Sequence, residues 1–187
     1  LKCLFCFSMD ISKKTLKYCF DPCENQQETH LLYELQWGEA LDTVGIPHGF
    51  SHAESYFLKN VFKRKRFINY VNNSITWYLS WSCCACCCYE IQKFLKKHSY
   101  VNINIHVAWL HCIENEEICS SLMDLKCFAD VTIAVISQFA SVSPDYTYCW
   151  KKFFRGNADD HAWSVDFESR ITMYRLRLKN VFEVSRL

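Results

Sequence analysis

The chain has 187 residues, half of them apolar, 16% aromatic and 22% charged, with only 4 Gly and 3 Pro. That length and composition fit one core-forming domain and exclude a disordered tail, a collagen-like chain or a flexible linker. A formal net charge of +1 selects neither nucleic acid nor membrane through a global field, so any such role rests on local patches.

Chain order begins with Leu1–Phe7, which is apolar but too short for a secretory signal and lacks a small-residue cleavage pattern. Met9 is a candidate start, so residues 1–9 are set aside as a lead and the domain is taken as 10–187. Thr29–Trp37 (THLLYELQW) reads as a strand closed by Gly38, with a second strand near Leu41–Val44. Gly45–Ser51, carrying Pro47 and Gly49, reads as a loop. His52–Phe62 has helical spacing, and the basic stretch Lys63–Arg66 follows. Ser74–Ser80 (SITWYLS) reads as a buried strand, and Cys84–His98 as an amphipathic helix with lysines on its outer face.

Val101–Leu110 alternates apolar and polar residues as a strand does. Asn115–Phe128 opens on acidic residues and closes near a lysine, the order a helix dipole favours. Val131–Ile136 is a short apolar strand, Pro144–Phe154 a helix with Ser143 as N-cap, and Glu168–Val181 a further helix. No apolar run reaches the ~18–20 residues of a membrane-spanning helix. Strands and helices alternate after the first hairpin, which points to an α/β domain with helices on both sheet faces.

Thirteen cysteines are several-fold above ordinary usage. The count is odd, and five of them crowd into Cys83–Cys88. Such packing suits a metal site in a reducing compartment better than a disulfide framework. The remaining eight, Cys3, Cys6, Cys19, Cys23, Cys112, Cys119, Cys127 and Cys149, read as free thiols. About thirty residues upstream of the cluster stands His52-Ala53-Glu54. One His and two Cys give a catalytic zinc three protein ligands and leave the fourth position to water. Glu54 would stand beside the metal without binding it, as a proton carrier. Spacing does not choose between Cys83/Cys86 and Cys84/Cys87, since both are C-x-x-C. A structural site or plain buried thiols fit the same spacing.

The runs FDPCE (Phe20–Glu24), ETHLLYELQWG (Glu28–Gly38), HAE (His52–Glu54) and SITWYLSWSCCACC (Ser74–Cys87) resemble the AID/APOBEC polynucleotide cytidine deaminases. VAWL (Val107–Leu110), YCW (Tyr148–Trp150) and MYRLRLKN (Met173–Asn180) continue the resemblance, which is greatest to the apolipoprotein B messenger-RNA editing branch. The resemblance implies a single α/β domain whose five-stranded mixed sheet is flanked by about six helices. Aligning Ser80-Trp81-Ser82 with the family's S-W-S-P-C-x-x-C implies Zn2+ on His52, Cys84 and Cys87, with Glu54 catalytic. Trp81, Trp109 and His111 then contact substrate, Trp81 as the floor of the base pocket.

The implied reaction is hydrolytic deamination of cytosine to uracil in single-stranded RNA or DNA. The alternative is a weakened relative that binds single strands. Three positions depart from the family pattern: Cys83 for proline, Trp109 for arginine and His111 for a tyrosine or phenylalanine. Phe50-Ser51 also stand where relatives often carry an asparagine. Lys63–Arg66 fits a nuclear-import signal, a phosphate contact or a solvated loop. Lys151, Lys152, Arg155, Arg170, Arg175, Arg177 and Lys179 make the last third locally basic, as a nucleic-acid track or a wet helix face. The expected partner is single-stranded RNA or DNA with no membrane. An auxiliary RNA-binding protein and a homo-oligomer are left open, and the compartments are cytoplasm and nucleus.

Overall fold

A computed structural model describes residues 18–23, 29–37, 40–46, 52–63, 73–136, 153 and 167–183. Five strands form one sheet in the order β2-β1-β3-β4-β5: β1 Leu31–Trp37, β2 Ala40–Ile46, β3 Asn73–Trp81, β4 Val101–Trp109 and β5 Val131–Val135. The sheet is mixed. β1 pairs antiparallel with both β2 and β3, whereas β3, β4 and β5 run parallel.

Parallel neighbours need a crossover, and two helices supply it. α2 (Ala85–Leu95) joins β3 to β4, and α3 (Glu116–Lys126) joins β4 to β5. α1 (Ala53–Tyr56) runs on into a π-helical turn, Phe57–Phe62. α4 (Glu168–Glu183) packs against β5 and α3.

The helices form where their apolar spacing lets one stripe be buried. In α2 that stripe is Cys87, Cys88, Ile91 and Leu95, and α2 packs between α1 and α3. Asn115 caps α3, its Oδ1 accepting from the backbone N–H groups of Glu117 and Ile118 at 2.9 and 3.1 Å. On the α1 side of the sheet Trp77 meets Phe57 edge-on at 5.3 Å, and Tyr33 meets it at 4.7 Å. The opposite face carries Tyr78, which stacks on His106 at 5.6 Å, meets Phe153 at 5.4 Å and donates from its hydroxyl to Glu34 Oε1 at 2.8 Å. Period-2 alternation along β3 thus feeds two cores.

Most elements match the sequence reading, with two corrections. The second strand extends through Gly45 and Ile46, which the sequence assigned to a loop; pairing with Leu31 and Leu32 overrides glycine's weak strand preference. The helix after the cysteines ends at Leu95 rather than His98, in a turn at 96–97. Residues 1–9, the loop at 47–51, Arg64–Arg66, the helix Pro144–Phe154 apart from Phe153, and Lys151, Lys152 and Arg155 lie outside the described residues. So do Cys3, Cys6, Cys149, His48 and His161. Among the described residues every cysteine is a free thiol, and no helix is long and apolar enough to cross a membrane.

His106 makes the fold acid-sensitive. Burial lowers its pKa to about 4, so below the unfolded value of ~6.5 the unfolded chain binds the extra proton. Stability should therefore be full above pH 6.5 and fall, by a few kcal/mol in order of magnitude, as pH drops toward 4. In urea melts across that range the wild type should lose stability toward pH 4 more steeply than His106→Gln. Parallel curves would assign the acid sensitivity elsewhere.

Candidate metal centre

The carboxyl ends of β3 and β4 and the N-termini of α1 and α2 meet at one edge of the sheet. α1 begins immediately after His52, which is its N-cap yet makes no side-chain cap bond. Its ring is thereby left to face α2. Cys84 is the N-cap of α2, and Cys87 lies three residues on in the first turn. Cys84 Sγ and Cys87 Sγ stand 3.5 and 3.3 Å from His52 Nδ1, and one donor atom from each of the three residues lies within 4.8 Å of the others. Two sulfurs and an imidazole nitrogen at that mutual distance are a donor set suited to zinc.

The competing pair is arranged differently. Cys86 is exposed, while Cys83 is fully buried and hydrogen-bonded with Cys88. That bond, and then burial, pushes the Cys83 thiol well above its ordinary pKa. Among the described residues the sulfurs gathered at His52 are those of Cys84 and Cys87, not those of Cys83 and Cys86.

Glu54 is the second residue of α1 and is 3% exposed. Burial raises its pKa. The Cys87 thiol donates to its Oε2 at 3.4 Å. The two candidate ligand thiols share protons unequally: the hydrogen bond from Cys87, then His52, lowers Cys84 to about 5, and the same bond together with burial raises Cys87.

Beside this cluster Trp81 and Trp109 are register partners at the ends of β3 and β4, with rings 6.1 Å apart and nearly parallel. His111 tilts against Trp81 at 4.7 Å. Of the seven residues singled out in the sequence, His52, Glu54, Cys84 and Cys87 form one contact set, and Trp81, Trp109 and His111 form a second.

Three residues that hold these sets escaped the sequence reading. Ser80 Oγ accepts from the His30 backbone N–H, and Ser82 Oγ accepts from that of His111, each at 2.8 Å. The Ser82 N–H in turn donates to the Trp109 carbonyl at 2.8 Å. The two serines around Trp81 thus tie it to β1 on one side and to the β4 exit on the other. Tyr174, from α4, packs on Trp109 at 5.6 Å and donates to the Pro22 carbonyl at 3.5 Å. The serines were visible as S-W-S, but only as an alignment anchor. Tyr174 lies 65 residues beyond Trp109, and no local pattern links them. Just after His111, Cys112 takes φ 45°, a left-handed conformation that costs roughly 1–2 kcal/mol without glycine and turns the chain toward the α3 cap.

The basic tail is less free than its sequence suggests. Arg177 Nη1 is 2.8 Å from Glu114, Lys179 Nζ is 3.7 Å from Glu183, and Arg170 bonds Cys23. Exposed pairs of this kind add little stability, but they offset charge that a polyanion would use.

Residues 19–156 match the family model described as APOBEC4-like AID/APOBEC deaminase. The C->U-editing enzyme APOBEC-1 of Oryctolagus cuniculus is 37% identical over 136 residues, covering 72% of this chain and 55% of the relative. That of Mus musculus is 35% identical over 136 residues, with 72% and 57% covered. The DNA dC->dU-editing enzyme APOBEC3 of Cricetulus longicaudatus is 28% identical over 167 residues, covering 80% of this chain and 39% of that one. The chain spans a little over half the length of the APOBEC-1 relatives it matches.

Proposed function

The chain belongs to the AID/APOBEC deaminase family, and from that premise we propose that it deaminates cytosine to uracil in single-stranded RNA or DNA. The observation that carries the reading is a buried carboxylate, Glu54, one hydrogen bond from a thiol of a His52–Cys84–Cys87 donor cluster. Zinc held by those three donors would supply an acidified water and a Lewis acid. Every other role falls to the chain. Glu54, whose buried carboxylate has a raised proton affinity, takes a proton from the attacking water and returns it to the ring nitrogen and the departing ammonia.

Trp81 offers its face to the base, and Trp109 and His111 line the approach. The target must be unpaired, because its reacting carbon is shielded inside a duplex. The reading carries the cytoplasm and nucleus as compartments.

A second reading, a relative that binds single strands without deaminating them, is favoured by His111. Its ring is smaller than the usual tyrosine and already rests on Trp81. A uracil-formation assay on single-stranded oligonucleotides decides between the two. Base–aromatic stacking is worth ~1–3 kcal/mol, so His111→Tyr combined with Trp109→Arg and Cys83→Pro should raise a weak native rate about tenfold. Trp109→Arg also removes packing on Tyr174 and Trp81, so the rate is normalised to folded protein. Robust native turnover would show that the three departures cost nothing. No turnover from a folded, zinc-loaded triple variant selects the binder.

A further inference from the structure

The outer face of α2 is the least explained surface among the described residues. Tyr89, Lys93 and Lys96 recur at helical spacing, with Lys97 and Tyr100 in the turn that follows, and all five are exposed. Only four large hydrophobic side chains are exposed among the described residues. Two of them, Tyr89 at 63% and Tyr100 at 46%, stand at the two ends of this lysine row. The helix's one carboxylate, Glu90, is held 3.2 Å from Lys59 Nζ, so nothing on α2 opposes the lysines.

Tyr100 is fixed rather than loose. Its hydroxyl is 2.9 Å from His98 Nδ1, and the His98 ring leans on Phe94 at 4.5 Å and on Phe62 at 5.2 Å. The adjoining helix α3 exposes Glu116, Glu117 and Asp124, so the positive strip ends at α2.

We propose that this face, Tyr89–Lys93–Lys96–Lys97–Tyr100, is a track for the single strand flanking the target base. The inference rests on the nucleic-acid reading above and adds the path the strand takes. A row of cations with aromatic rings at either end matches a polyanion whose bases are free to stack. An acidic protein would use the lysines alike and leave both tyrosine faces unexplained. From Tyr89 to Leu95 the helix rises about 9 Å, and Lys96 and Lys97 follow in the turn. The row starts two residues after Cys87, at the end of α2 that carries the candidate metal centre.

The test compares a cytosine-free oligouridylate or oligothymidylate of about 30 nucleotides with a cytosine-containing strand of about 5. Binding to the first is followed by fluorescence anisotropy across a salt series, and uracil formation is measured on the second. Replacing Lys93, Lys96 and Lys97 together by Ala should make the log-affinity against log-salt slope shallower by about 2 for the long strand. Tyr89→Ala and Tyr100→Ala should each weaken that binding about five- to a hundred-fold. Zinc content and uracil formation on the short strand should stay unchanged. Long-strand binding that survives all these variants overturns the track and leaves the deaminase reading standing. No binding of either strand by the unaltered protein at low salt overturns both.

Discussion

Replacing Glu54 by glutamine is expected to remove deamination by at least ~10²–10⁴-fold, the range for losing a positioned proton carrier, with zinc content unchanged. Glutamine keeps the length of the side chain and an acceptor oxygen for the Cys87 thiol that now bonds Oε2, so the donor cluster retains its support. Thermal stability should hold or rise slightly. Burial disfavours the charged carboxylate, and a neutral amide of the same shape avoids that cost. The paired readouts are turnover on a single-stranded oligonucleotide and zinc per chain. Substantial residual turnover with zinc retained would assign the proton chemistry to another group. Loss of zinc together with turnover would make Glu54 a supporter of the cluster rather than a proton carrier.

The second large effect separates the overlapping cysteines. Cys84→Ser and Cys87→Ser are each expected to lower zinc affinity by more than the ~10–100-fold that loss of an outer supporting group costs, because each removes one of three donors around His52. Cys86→Ser should be silent in metal content and within about 0.5 kcal/mol in stability, as ordinary surface changes are; its side chain is exposed. Cys83→Ser should keep the metal while lowering Tm, since Cys83 is buried and bonded with Cys88. Metal analysis beside thermal melts distinguishes the two effects. If Cys83→Ser emptied the site with its Tm intact, the Cys84/Cys87 assignment would be wrong.

Both expectations turn on residues legible in the linear chain, and the degree of legibility differs between them. His52-Ala53-Glu54 was readable because three consecutive residues stay within about 7 Å of one another however the helix packs. The cysteines were readable as a cluster but not as a register. A helix start can present either pair, and the sequence left that choice to the resemblance. Within the molecule the choice follows from burial: Ile91 and Leu95 set the inward stripe of α2, and that rotation carries Cys87 and Cys88 inward with Cys86 outward.

In the basic tail the sequence leaves a nucleic-acid track and a wet helix face open, and the exposed pairing of Arg177 with Glu114 and of Lys179 with Glu183 fits the wet face. For the lysines of α2 the sequence pattern gives an outer face, while the exposure of Tyr89 and Tyr100 beside them is a property of the packed molecule.

The sequence by itself determined the strands with period-2 or fully apolar runs, the crossover helices between parallel strands, the HAE and S-W-S landmarks, and the family whose pattern they resemble. These are short-range properties, set by steric alternation and by which residues can be buried within one element. Tertiary structure alone decided which sulfurs face His52, that Glu54 is dry, that Ser80 and Ser82 pin Trp81 between β1 and β4, and that Tyr174 supports Trp109 from a distant helix. Each of these depends on the rotation of one packed element against another. That rotation is fixed by close packing of the whole core rather than by any local run of residues.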